Sequence, residues 1–293
     1  MKLVNSVCTN LFFPESRKSI GYFHEMARFL SGKGIDFIEF YHDGAERGKV
    51  GSILSDTGLK GVYIAVIPSK EKKLYLCDED EGLRNEAVKL FMSCIDEAQD
   101  NGICEVMINS GRMGKSEEAG LKNLAESVEK LFNHIERKNY GVKLLMEPCD
   151  SRIDAFHLIG PYRRTYDFVK SMHEKGMPLE LTMDTAHTAE EGEDFLEALT
   201  AVKQFCSQIH FANCYIRDPA DEFYGDRHLG FEFPDTEWTY EALAGLFYEL
   251  EKLYAGDEPL RIGLEVLCRT GNPYAYFEDT WNSLSFLHRN RQR

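Results

Sequence analysis

No two of the eight cysteines in this 293-residue chain form a Cys-x-x-Cys pair. That absence excludes a zinc ribbon and a dithiol redox motif. Most of the cysteines sit in or beside apolar runs, as buried free thiols do, and a reducing cytoplasm is the compartment expected for them. Long apolar runs are also missing. None approaches the roughly 18 residues that would span a bilayer. The opening MKLVNSVCTNLFF carries one lysine and is interrupted by Asn5, Ser6, Thr9 and Asn10, so it reads as a first strand rather than a signal peptide. Positive charge is scarce: 34 basic residues face 49 acidic ones, for a net charge of -15. That balance argues against a nucleic-acid partner, which needs a basic face, and against an anionic membrane surface. No low-complexity segment or Pro/Ser-rich linker divides the chain, so residues 1–293 are expected to form one domain, with a hydrophobic content of 43% to fill its core.

What the chain has is a recurring unit: an apolar run, a loop, then a helical pattern. The runs are KLVNSVCT (2–9), IDFIEF (35–40), LKGVYIAVI (59–67), ICEVMI (103–108), GVKLLM (141–146), LELTM (179–183), SQIHF (207–211) and RIGLEV (261–266). Helical spacing is clear over 21–34, 86–102, 116–141, 162–176, 193–205, 240–254 and 274–289, and weak around 49–57. Strands alternating with helices imply a parallel sheet. Eight units in one undivided chain predict a closed (β/α)8 TIM barrel, with long loops after strands 5 and 7. A doubly wound open sheet is the alternative. It is disfavoured because CTNLFFPESRKS, after the first run, contains no glycine-rich phosphate loop.

In such a barrel the active site lies at the C-terminal ends of the strands. Run five ends at Glu147, run six at Asp184, run seven at His210 and run eight at Glu265. Charged groups at the ends of buried strands are costly unless paired or coordinated. Adjacent strands lie under about 5 Å apart, so these four side chains should converge. Three carboxylates and an imidazole suit one divalent cation: Mn, Mg, Co or Zn. His187, three residues beyond Asp184, is within reach of the same cavity or is simply a histidine at a helix start. The same Asp-x-x-His spacing recurs at Asp154 and His157, which follow no apolar run.

The segments LLMEP (144–148), MDTAH (183–187), QIHFAN (208–213) and GLEV (263–266) resemble the xylose-isomerase-like TIM-barrel superfamily, its ketose 3-epimerases in particular. The resemblance implies that Glu147, Asp184, His210 and Glu265 hold one metal ion, with Glu147 and Glu265 also catalytic. It gives His187 a substrate contact and makes Arg217 the candidate for an arginine that follows the strand-seven histidine in this family. It further implies a metal-dependent isomerase or epimerase that removes a proton beside the carbonyl of a ketose or keto-sugar, through an enediolate. A dehydratase or lyase on a keto-sugar or keto-inositol could use the same site. A third possibility is a DNA-repair phosphodiesterase like the endonuclease IV branch. Runs three and four lead into IPSKEK and NSGRMG without the histidines of that branch, and His42 stands alone. Asp226 and His228, in GDRHLG, resemble a ligand pair of the nuclease branch; the other reading is a loop that lines the pocket and binds substrate. A barrel that binds a sugar without turning it over would have lost an acid or a base, yet both glutamates are present.

Two loops should shape the pocket. Residues 213–238 carry Tyr215, Arg217, Phe223, Tyr224, Arg227 and His228. Loop CDSRIDAFHLIGP (149–161) could supply Arg152 or His157, and has Asp150 and Asp154 where the epimerases have a further glutamate. No concentrated Lys/Arg cluster in these two loops argues for a phosphate, but Lys70, Lys72, Arg112 and Lys115 lie near the ends of runs three and four. The expected partner is therefore a small sugar, phosphorylated or not. Barrels of this kind often pair, so a homo-oligomer is an open expectation.

Overall fold

The computed structural model describes residues 3–256 and 259–287. Each of the eight runs forms a strand: β1 (Leu3–Cys8), β2 (Phe37–Phe40), β3 (Lys60–Ile64), β4 (Glu105–Ile108), β5 (Lys143–Met146), β6 (Glu180–Asp184), β7 (Cys206–Ala212) and β8 (Leu260–Glu265). They are parallel, follow one another in chain order, and close where β1 pairs with β8 from Leu3↔Leu260 to Val7↔Leu264. This is the expected (β/α)8 barrel. The seams are uneven. β7 and β8 share five paired positions, whereas β5 and β6 share two, Leu145↔Glu180 and Met146↔Leu181.

The helices are α1 (Thr9–Phe12), α2 (Ile20–Gly32), α3 (Val50–Thr57), α4 (Val66–Lys72), α5 (Glu81–Asp100), α6 (Glu117–Lys138), α7 (Tyr162–Glu174), α8 (Thr185–Glu190), α9 (Phe195–Val202), α10 (Tyr240–Leu253) and α11 (Pro273–Ser283). Local chemistry sets several of their starts. Ser19, Asp80, Ser116, Asp194, Thr239 and Asn272 each accept a hydrogen bond from a backbone N–H in the first turn. Among the described residues, no helix is long and apolar enough to cross a membrane.

Three details differ from the sequence expectation. The third run ends as a strand at Ile64, and Val66 and Ile67 begin α4 instead. Pro68 explains this: it lacks an N–H, which a helix's first turn does not need and a central strand does. Helix α5 starts at Glu81 rather than 86 because Asp80 caps it. The last helix ends at Ser283, and residues 284–287 form a turn and a tighter helical turn instead of continuing it; 288–289 lie outside the described residues, as does residue 2 of the first run.

One large apolar core fills the space between barrel and helices, with Phe40, Phe91, Leu131 and Phe211 among its fully buried members. Inside the barrel a smaller cluster of Val62, Met107 and Leu145 packs the β3–β5 side. The opposite side of the interior is polar, and the site rests on it.

Candidate metal centre and substrate cavity

The four strand-end residues meet. Glu147 directly follows β5, Asp184 ends β6, His210 lies in β7 opposite Asp184, and Glu265 ends β8. One donor atom from each lies within 4.8 Å of all the others. The centre of the group is His210 Nδ1, 2.8 Å from Glu147 Oε1, 2.6 Å from Glu265 Oε2 and 3.9 Å from Asp184 Oδ2. Asp184 is shared between two tasks. Its Oδ1 accepts the His187 N–H at 2.8 Å and caps α8, while its Oδ2 is buried with no hydrogen-bond partner. A buried carboxylate oxygen without a partner is costly, and a cation would satisfy it. The hard oxygen donors and the imidazole fit a divalent ion.

Electrostatics point the same way. Burial, with Glu265, Asp226 and Glu147 nearby, pushes Asp184 well above the usual carboxylate range against the pull of His187. Burial would also raise Glu265, but His210, His228 and His187 bring it down to about 2. For His210, burial favours the neutral ring, yet Cys8, Glu39, Glu265 and Glu147 outweigh it and hold the imidazole well above its ordinary value. The protein has packed more negative charge here than one histidine balances.

Beneath the quartet lies a fourth carboxylate that the sequence reading missed. Glu39, in β2, is fully buried and lies 2.9 Å from His210 Nε2. Ser6 Oγ donates to its Oε1 at 2.6 Å and Gln208 Nε2 to its Oε2 at 2.7 Å. Gln208 in turn accepts from Arg261 Nε at 2.6 Å, and the Arg261 guanidinium lies 2.6 Å from Glu105. Burial would raise Glu39, but His210, Arg261 and Ser6 lower it, so it stays ionised. A carboxylate on the far nitrogen of a ligand histidine fixes the ring's orientation and raises its basicity. In the sequence Glu39 is one of two acidic residues of IDFIEF, with Asp36, and nothing in that run marks which of them is buried. Gly263, the inward position of β8 between Arg261 and Glu265, makes room for the pair. A Cβ there would lie 2.6 Å from Glu39 Oε1 and 2.8 Å from His210 Cδ2.

Above the quartet a cavity of about 460 Å³ opens, lined by Glu147, His210 and Glu265 of the quartet and by residues from most of the strand ends. His187 lines it, with Nδ1 3.3 Å from Glu190 and Nε2 3.8 Å from Asp226. Burial lowers the affinity of His187 for a proton, but Cys149, Glu190 and Asp184 reverse this and leave it well above the ordinary imidazole value. Asp226 and His228 also line the cavity, 3.2 Å apart, and His228 Nδ1 comes within 3.9 Å of Glu265. His228 sits in the left-handed region at φ 49°, and its carbonyl accepts from the Leu267 N–H at 2.8 Å, which ties this loop to the end of β8. Asp226 and His228 thus reach the site as pocket-lining groups.

Arg217 does not. Its side chain is 55% exposed and bound to Asp235 at 2.9 Å, outside the cavity. The loop turns back after it, where Tyr215 and Gly225 exchange backbone hydrogen bonds, and brings Arg227 to the cavity instead. Arg152 is likewise directed away, onto the Glu191 carbonyl at 2.7 Å. His157 is the reverse case: it lines the cavity and is buried. Asp150 organises that loop, accepting backbone N–H groups from Arg152, Ile153, Asp154 and Ala155 at 2.6–3.0 Å. Those bonds account for its carboxylate, although Asp150, His187 and Glu190 form a second group close enough to hold an ion. His42, buried, donates from Nδ1 to the Ser16 carbonyl at 2.9 Å and does not line the cavity.

A family model for the xylose isomerase-like TIM barrel matches residues 27–249. The sequence has no match among curated proteins. Among solved structures the chain is similar to 3-keto-D-glucoside 4-epimerase YcjR from E. coli, at 16% identity and a TM-score of 0.69, covering 98% of this chain and 99% of that one. It is similar to D-psicose 3-epimerase with D-tagatose from Clostridium cellulolyticum H10, at 16% identity and a TM-score of 0.61, covering 100% and 96%. It is also similar to the IolI protein with a bound zinc atom, at 14% identity and a TM-score of 0.69, covering 98% and 96%.

Proposed function

Because the chain belongs to the xylose isomerase-like TIM-barrel family, we propose that it is a metal-dependent epimerase or isomerase of a ketose or keto-sugar. The observation that carries this reading is the convergence of Glu147 and Glu265, from β5 and β8, on the same His210 nitrogen at the floor of a sugar-sized cavity. Two carboxylates placed there suit removal of a proton beside a carbonyl and its return. One glutamate takes the proton from carbon and leaves an enediolate; the other, in its acid form, gives a proton back to that carbon. Return on the opposite face gives the epimer, and return at the neighbouring carbon gives the isomer. Glu147, Asp184, His210 and Glu265 would hold the ion. When bound, it supplies Lewis acidity that stabilises negative charge on the substrate oxygens. Glu39 fixes the His210 ring from below. His187, held by Glu190, offers a charged donor to a substrate oxygen, and Asp226 and His228 offer further polar contacts. The similarity to a 3-keto-D-glucoside 4-epimerase and to a D-psicose 3-epimerase supports the same class of substrate.

The test is turnover of a ketose and keto-sugar panel in deuterated water. The wild-type protein loaded with Mn²⁺ or Zn²⁺ should incorporate solvent deuterium beside the carbonyl. Glu147→Gln and Glu265→Gln should each lose about 10²–10⁴ in kcat, with ion content measured alongside to separate lost chemistry from a lost ligand. Near-normal turnover in either variant would sink the two-carboxylate mechanism.

A further inference from the structure

The ligand quartet occupies the ends of β5 to β8. In a closed barrel with strands in chain order, β3 faces β7 and β4 faces β8. That far wall of the cavity has the opposite character. Lys70, in α4 after β3, and Arg112, after β4, both line it. Among the described residues neither has an acidic partner; the Arg112 guanidinium lies 5.9 Å above the Phe156 ring and no carboxylate meets it. In a chain with 49 acidic and 34 basic residues, two unpaired cations on one cavity wall call for a reason. Arg227, the other cation of the lining, is engaged with Asp154 at 3.6 Å.

Solvated rim cations would explain Lys70 and Arg112 alone, since both are exposed. They would not explain the buried, unpartnered polar atoms that line the same cavity. His157, 9% exposed, is bridged backbone-to-backbone with Arg112, and its Nδ1 has no hydrogen-bond partner. Asn10 also lines the cavity. Its Oδ1 accepts the Tyr41 N–H at 2.6 Å, while its buried Nδ2 donor is left without an acceptor. Unmet buried polar atoms in a cavity that also carries two free cations describe a place for an electron-rich group.

We infer that the substrate carries an anionic substituent, a carboxylate or a phosphate ester, which seats against Lys70, Arg112 and His157 while its keto end faces Glu147 and Glu265. The inference rests on the keto-sugar reading above and deepens it: the substrate is a keto-sugar acid or a keto-sugar phosphate rather than a neutral ketose. The two ends of the cavity then attract opposite ends of the molecule and fix its direction.

Calorimetric titration of the metal-free protein with sorbitol, gluconate and sorbitol 6-phosphate tests this without turnover. At least one anion should bind about tenfold or more tightly than sorbitol, and the tighter of the two names the source. Lys70→Gln and Arg112→Gln, exposed positions whose folding is checked by circular dichroism, should each narrow that gap. Equal binding of all three probes, no binding of either anion, or a gap that survives both substitutions would overturn the inference. The outcome is separable from the epimerase test. A charge preference in a protein that never exchanges deuterium removes the proposed reaction and supports the anion site. Exchange without the preference does the opposite.

Discussion

Glu39 contributes to the site without touching the cavity. Its carboxylate holds His210 Nε2 at 2.9 Å within a buried network that includes Ser6 and Gln208. Glu39→Gln keeps the shape and removes the charge. We expect the affinity for Mn²⁺ or Zn²⁺ to fall about 10–100-fold with the fold retained, read by calorimetric titration of the stripped protein. An unchanged affinity would leave Glu39 with a packing role alone. The quartet itself was legible in the sequence because a charge at the end of an apolar run is anomalous by itself. Glu39 was not, because its meaning depends on Gln208, Arg261 and Ser6, which come from three other strands. Arg217 failed for a related reason: proximity in sequence to His210 says nothing about which way a loop turns after Tyr215.

At the scale of elements, strand positions were readable and short connecting helices were not. Apolar runs of four to seven residues leave a strong mark. Helices α1, α4 and α8, which have four, seven and six residues, carry too few turns to show a period. The loop after β5 shows what holds such irregular segments. Asp150 gathers four backbone N–H groups of a partly buried loop. Asp150→Ala should cost about 2–3 kcal/mol and loosen residues 151–155, as amide hydrogen exchange would report. Burial would raise the Asp150 pKa, but the N–H groups of Ile153, Ala155 and Asp154 lower it below its ordinary value of 3.8. Its contribution is therefore complete above about pH 4 and is lost as pH falls from there through the folded value. The stability gap between wild type and variant should hold at pH 7 and 5 and shrink below pH 4. A gap that widened toward acid would contradict the assigned role.

For the whole molecule, the quartet concentrates unfavourable charge in the floor of a closed barrel, and an ion relieves it only in the folded state. Loading should therefore stabilise the protein globally. At a free ion concentration about 100 times Kd the gain is about 2.7 kcal/mol, or about 4 °C in Tm for a chain of this size. Chelation should reverse the shift, and Asp184→Ala should abolish it in a thermal melt. No shift in the wild-type protein would mean that the four residues form a structural cluster.

Gly263 gives this architecture a history. A hydrogen atom there is what allows a carboxylate from β2 to meet an imidazole from β7 across the barrel. A side chain at 263 is admissible only after position 39 has become shorter and the His210 ring has moved aside, so the order of substitutions is constrained. Descendants of this sequence can enlarge 263 only by first giving up the group that steadies His210. The smallest residue in the strand thereby acts as a ratchet, keeping the barrel on one evolutionary path for as long as the Glu39–His210 contact is under selection.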